Sequence, residues 1–132
     1  MSVAYGKGDK GKATKLHSLI IRSVGFCENC GGNNYLQCAH IISRRYSGTR
    51  TDLRNAFCLC ASCHRRFTDW PREFSHFITD TWAADIYDDI KAKANASVKV
   101  NWSDRLIFLK SADQQLKSGV TLQELRKLEE EV

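Results

Sequence analysis

Two cysteine pairs, Cys27-Glu28-Asn29-Cys30 and Cys60-Ala61-Ser62-Cys63, are the residues whose spacing most directly specifies chemistry in this chain. Two thiolates separated by two residues can grip one ion from a single turn of backbone. Two such pairs supply the four sulfur ligands of a closed, tetrahedral structural zinc site. Gly31 and Gly32 follow the first pair and let the backbone fold over the ion. The interval between the pairs is longer than in a simple ribbon, so the stretch between them is expected to be a hairpin inserted between the two halves of one site. The same residues leave two alternatives open: a redox dithiol that uses one pair, or a mixed site that recruits Cys38 or Cys58. Otherwise those two thiols read as small apolar side chains in strands. Zinc would replace the core that a short hairpin lacks, which makes its binding free energy part of the folding free energy.

Between and beside the pairs lie three polar residues, His40, Asn55 and His64, with Arg44, Arg45, Arg65 and Arg66 next to them in sequence. A lone histidine is more often structural than catalytic, and an asparagine before a strand is usually turn chemistry. Their placement around one metal-stapled hairpin is what makes them candidates. A strand is expected over Tyr35 to Ile42, with His40 near its end. A loop over Ser43 to Asp52 follows, then a short apolar strand over Asn55 to Leu59, and His64 directly after the last cysteine of the second pair.

The elements that must position these residues are mostly helical. Leu16, Leu19, Ile20 and Val24 recur at helical spacing, so a helix is expected over Lys12 to Ser23, closed by Gly25. The Gly- and Lys-rich residues 1–12 read as a flexible basic arm. Asp69 can cap a helix that has Pro71 in its first turn and Phe74, Phe77 and Ile78 on its apolar face. Further helices are expected over Asp85 to Ala94 and over Ser103 to Lys117, ending near Gly119. A last helix is announced by the capping box Thr121-Leu122-Gln123-Glu124, with Leu122, Leu125, Leu128 and Val132 in one stripe that packs on the chain's own core. The reading is one domain of 132 residues: an arm at 1–12, a metal-stapled core at 26–68 and a helical extension at 69–132.

Charge supports a polyanionic partner. Residues 1–66 carry eleven Lys/Arg against three Asp/Glu, and residues 67–132 carry nine against twelve, so the positive field belongs to the half that holds the cysteines. The N-terminal stretch has no apolar run of a secretory signal, and no segment approaches the roughly 20 apolar residues of a membrane span. A cytoplasmic setting with reduced thiols is therefore expected.

The segment Cys38-Ala39-His40-Ile41-Ile42-Ser43-Arg44-Arg45, with Leu53-Arg54-Asn55-Ala56-Phe57-Cys58-Leu59-Cys60-Ala61-Ser62-Cys63-His64-Arg65-Arg66, resembles the HNH endonuclease motif. The continuation Phe67-Thr68-Asp69-Trp70-Pro71 is similar to phage and prophage members, so a phage-encoded protein acting in the host cell is the implied setting. The resemblance covers roughly residues 26 to 68 and implies an α+β fold: a small ββα-metal hairpin-plus-helix core stapled by the Cys27, Cys30, Cys60, Cys63 zinc site, surrounded by additional helices. It implies hydrolysis of DNA phosphodiester bonds with Mg²⁺ or Mn²⁺. His40 would be the general base, Asn55 the residue that holds the His40 backbone across the loop, and His64 the ligand of the catalytic ion. Arg44, Arg45, Arg65 and Arg66 would clamp phosphate oxygens. Many members carry Asp or His before the base, where this chain has Ala39. Either His64 and waters hold the ion almost alone, or Asp69 or His76 reaches in. One such centre cuts one strand, so a monomer or weak homodimer fits. The competing reading is a non-catalytic zinc-ribbon module that binds nucleic acid; it accounts for the thiols and arginines but not for the placement of His40, Asn55 and His64. His17 and His76 read as ordinary helix histidines.

Overall fold

In the computed structural model, which describes residues 5–82, 84–96 and 99–129, the chain follows the order α1 (Gly8–Arg22), β1 (Leu36–His40), β2 (Ala56–Cys60), α2 (Ala61–Asp69), α3 (Pro71–Thr81), α4 (Ala84–Asn95), α5 (Trp102–Lys117) and α6 (Leu122–Leu128). The fold is α+β, as expected. The two strands pair antiparallel with Leu36 opposite Cys60, Cys38 opposite Cys58 and His40 opposite Ala56.

The hairpin lies between two helical layers. Strand β2, Ala-Phe-Cys-Leu-Cys, is buried at every position, which explains its unbroken apolar sequence. The pleat sends Leu36, Cys38 and His40 to one face and Gln37 and Ala39 to the other. On the first face, Ala56 and Cys58 join Ala13, Ile20 and Ile21 of α1, Leu106 and Leu109 of α5, and Leu122 and Leu125 of α6 in one apolar cluster. On the second, Ala39, Phe57 and Leu59 meet Phe67 of α2, Ile78 of α3 and Trp82. Phe57 is the hub of that side, with its ring centroid 4.7 Å from Phe77 and 5.7 Å from Trp82. Burying a ring of this size stabilises by about 1.5–3 kcal/mol.

Several element boundaries differ by a residue from the sequence expectations, β2 among them, which runs Ala56–Cys60 and leaves Asn55 just before it, and three differ for a physical reason. Helix α1 begins at Gly8, inside the segment read as a flexible arm. The reason is tertiary: the Arg50 guanidinium donates to Tyr5 O and to Thr14 Oγ1, while locally the absence of a side chain at Gly11 lets Gly6 O lie against the helix start, 2.1 Å from where a Cβ would be. Asp69 does not cap α3 but ends α2. Trp70 takes the cap position with no side-chain bond, because Pro71 forces its predecessor out of helical dihedrals and so breaks one helical run into two. Strand β1 is shorter than Tyr35 to Ile42, since Ile41 and Ile42 turn away to bond Asn55. The N-cap half of the expected capping box forms, with Glu124 N–H donating to Thr121 Oγ1, while the Glu124 carboxylate accepts from the Thr121 hydroxyl. Leu122, Leu125 and Leu128 pack on the core, while Val132, the end of that stripe, lies outside the described residues.

Helices α5 and α6 hold the segment that leads into β2. Arg126 donates from Nε to Leu53 O and from Nη2 to Ala56 O, and pairs with Glu28 at 2.8 Å. Glu129 accepts from Leu53 N–H, and Arg105 bridges Glu129 and Thr51. From the other side, Arg54 chelates Asp52, which also takes Lys93 of α4 at 2.8 Å. Loop 41–55 is thus clamped by charged groups from three helices. Among the described residues, no helix is long and apolar enough to cross a membrane.

Candidate functional site

The knuckle after α1 is shaped by Gly31 N–H donating to Cys27 O and Cys27 N–H donating to Gly32 O, with Gly31 at φ +80°, a conformation that favours glycine. The second knuckle is the first turn of α2. Together they bring the sulfurs of Cys27, Cys30, Cys60 and Cys63 within 4.8 Å of one another, a set that can hold a metal ion. Cys38 and Cys58 take no part in that cluster, so the mixed-site alternative does not describe this chain.

The surroundings suit thiolates. Backbone N–H groups of Cys30, Gly32 and Cys63 donate to sulfurs of Cys27, Cys30 and Cys60, and Asn29 Nδ2 donates to Cys63 Sγ at 3.3 Å. Burial pushes the Cys27 thiol up, but backbone N–H donors of Cys30, Cys60 and Asn29 outweigh it and bring the group down to about 7. Cys63 is pushed up to about 12 by burial and by its sulfur neighbours. Four thiolates held this close together would repel one another. A divalent cation removes that conflict, and the all-sulfur donor set suits zinc.

His40 and His64 line one open cavity of about 570 Å³, with Tyr5, Ser18, Arg22, Gln37 and Arg44 also on its wall. Their hydrogen bonds reveal their tautomers. His40 Nε2 lies 2.9 Å from Arg50 O, and His64 Nδ1 lies 2.7 Å from Gln37 Oε1. Both partners are carbonyl oxygens, which only accept, so each ring nitrogen in contact carries the hydrogen and the other nitrogen carries the lone pair. His40 therefore presents Nδ1 as a base, and His64 presents Nε2 as a ligand atom. Burial, opposed by the bond to the Arg50 carbonyl and reinforced by the charges of Arg44, Arg50 and His64, lowers His40 to about 4. Burial also lowers His64. Both rings are neutral at neutral pH.

Asn55 is fully buried. Its Oδ1 accepts from Ile42 N–H, and its Nδ2 donates to Ile42 O and Thr49 O. These bonds close both ends of the loop whose Arg50 carbonyl orients His40.

The arginines diverge. Arg44 lines the cavity, and its carbonyl accepts from Arg50. Arg45 stacks on Tyr46, 5.6 Å from the ring centroid. Arg65 is 86% exposed and reaches Asp69 at only 4.0 Å. Arg66 is engaged in a two-point pair with Glu73 at 2.9 and 3.1 Å, so its fork is already occupied. Asp69 and His76 join neither cluster of metal-ligating groups found among the described residues, and nor does His64.

Two residues of the cavity wall, Gln37 and Arg22, and one loop residue behind it, Arg50, were not among the sequence candidates. Gln37 has a faint signal: it lies two residues before Ala39, on the same strand face. Arg22 shares a helix face with Ser18, whose carbonyl accepts from its Nε. Arg50 looked like any loop arginine, and only the folded loop puts its carbonyl on His40. His17, read as an ordinary histidine, is fully buried with its ring centroid 5.1 Å from that of His40.

Residues 21–69 match the HNH endonuclease family. The matched segment runs from the end of α1 through both knuckles, both strands and α2, and so contains the four cysteines of the cluster together with His40, Asn55 and His64, while His17 and His76 lie outside it. It implies a nuclease and a nucleic-acid substrate. Comparison with curated proteins found no match, and nor did comparison with solved structures.

Proposed function

We propose, from the premise that residues 21–69 are an HNH endonuclease segment, that the chain hydrolyses DNA phosphodiester bonds with His40 as general base and His64 as the protein ligand of a divalent ion. Zinc in the Cys27, Cys30, Cys60 and Cys63 cluster is the structural staple. One observation carries the reading: two neutral imidazoles on one cavity wall, each with its hydrogen donated to a carbonyl oxygen and its lone pair left for other chemistry.

His40 Nδ1 accepts a proton from a water molecule as the water oxygen bonds to phosphorus, and the bond from phosphorus to the 3′ oxygen breaks, its electron pair leaving on the 3′ oxygen, which takes a proton from solvent. A base that is already neutral accepts that proton across the neutral pH range. When bound at His64 Nε2, with waters completing its shell, Mg²⁺ or Mn²⁺ supplies positive charge for the phosphate oxygens and the departing oxygen. Gln37 orients His64 by holding its Nδ1 hydrogen, as outer partners of metal-bound histidines do. Asn55 acts through the loop, keeping the Arg50 carbonyl under His40. Arg44 and Arg22 on the cavity wall meet phosphate first, and Arg45 and Arg65 extend the basic surface along the backbone. Arg66 contributes less, because contact with DNA would require it to leave Glu73.

The test is cleavage of supercoiled plasmid by zinc-loaded wild type and His40→Ala with added Mg²⁺ or Mn²⁺. Nicked or linear product from wild type, with a loss of about 10²-fold or more in a folded His40→Ala, is expected. Activity retained in His40→Ala removes the base assignment. No product from either protein, with retarded DNA mobility, replaces the nuclease with a nucleic-acid-binding zinc module.

A further inference from the structure

We infer that His17, Cys38 and His40 form a second metal site, which takes a thiophilic divalent cation such as Zn²⁺ and thereby removes His40 from catalysis. A ring nitrogen of each histidine and Cys38 Sγ lie within 4.8 Å of one another, with His17 Nδ1 at 3.9 Å from the sulfur. Tetrahedral zinc with bonds of about 2.0–2.3 Å needs its donors roughly 3.3–3.8 Å apart, so a small adjustment of side chains closes the set.

The hydrogen positions suit ligation. His17 Nε2 donates to Asp52 O, as His40 Nε2 donates to Arg50 O, so each ring is left with Nδ1 as its lone pair, and that of His17 faces Cys38. These carbonyls are the kind of outer partner that fixes metal-binding histidines. The arrangement also gives His17 a purpose. A fully buried imidazole whose lone pair meets a weak thiol donor is a poorer core residue than leucine, but a good ligand.

Access comes from the cavity, where Cys38 and His40 are half-buried and border a recess of about 70 Å³ with Thr14, Ser18 and Arg44. With the ion between the three donors, behind this lining, the recess has room for a water in the fourth position. On binding, the Cys38 S–H bond breaks, a sulfur–metal bond forms and the proton leaves to solvent. The resulting thiolate offsets part of the field of Arg44 and Arg50, which opposes a cation there. Mg²⁺, which prefers oxygen, gains nothing from this donor set, so the site distinguishes the ion that supports cleavage from one that stops it. The inhibitory consequence rests on His40 being the base; the binding itself does not.

The experiment counts zinc per chain after incubation with excess Zn²⁺ and gel filtration, with circular dichroism to verify the fold. Two zinc ions are expected in wild type and in His64→Ala, and one in Cys38→Ala and in His17→Phe, which keeps a ring in the buried position. One zinc in wild type overturns the site, as does a count of two in both Cys38→Ala and His17→Phe. In a second arm, zinc is titrated into Mg²⁺-supported plasmid cleavage. Wild type should lose about tenfold or more of its rate, and Cys38→Ala should resist the same titration. Equal inhibition of both overturns the inhibitory role, whereas a wild type that never cleaves DNA overturns the nuclease reading and leaves the zinc count as it stands.

Discussion

The two faces of the hairpin place their histidines by opposite means. On the α2 face, His64 follows Cys63 directly in a helix that starts at the metal cluster, and Gln37 is the partner that orients it. On the α1 face, His40 depends on residues distant in sequence: His17 of α1 against its ring, the Arg50 carbonyl beneath it, and a loop held by Asn55, Arg105, Arg126 and Glu129. One face is set by local spacing around the four-cysteine cluster and the other by long-range polar packing. A partly exposed histidine can thus be positioned by its neighbours in the chain, while a more deeply buried neutral one needs a carbonyl and a desolvating wall from elsewhere.

Stripping the metal should have the largest effect and asks whether the faces are separable. The hairpin belongs to both apolar clusters. A chelator strong enough to take zinc should therefore abolish the cooperative melt, since structural zinc contributes about 10–16 kcal/mol in small zinc-finger peptides. Hydrogen exchange should show α1 and α5 losing protection together with α2. Native protection persisting in α1 and α5 would mean that the α1 face folds alone.

Acid should strike the α1 face next. Burial first, then the charge of His40 and of Arg105, lowers His17 to about 3 against the backbone bond to Asp52, while His40 lies at about 4. The unfolded chain protonates both near their ordinary value of 6.5, so between pH 6.5 and 4 it holds more protons than the folded one. Their contribution is complete above pH 6.5 and lost as pH falls, by about 1.4 kcal/mol per pH unit for each ring. Urea denaturation at pH 7 and 5.5 should show wild type losing more stability than His17→Phe. Equal losses would mean that His17 is not held neutral by the fold.

The smallest effect belongs to the α2 face. Gln37→Leu should raise the Mg²⁺ or Mn²⁺ concentration needed for cleavage by about tenfold, the usual scale for losing an outer partner, while stability changes by less than about 1 kcal/mol. An unchanged metal titration would mean that α2 alone orients His64.

The four-cysteine cluster, the hairpin between its halves and the position of His64 were legible from residue order, because two short cysteine spacings and the helix that follows are local constraints. So were the later helices, to within a few residues, since periodicity and caps act within a turn or two. Which thiols stay outside the metal cluster, which nitrogen of each histidine holds its hydrogen, and why His17 lies beneath His40 were decided only by tertiary structure. Each depends on groups brought together from separate elements: Asp52 O and Cys38 on His17, Arg50 O on His40, Gln37 on His64. Even the start of α1 belongs to that class. A Gly- and Lys-rich stretch has little helical tendency of its own, and it is ordered here by an arginine some forty residues further along the chain.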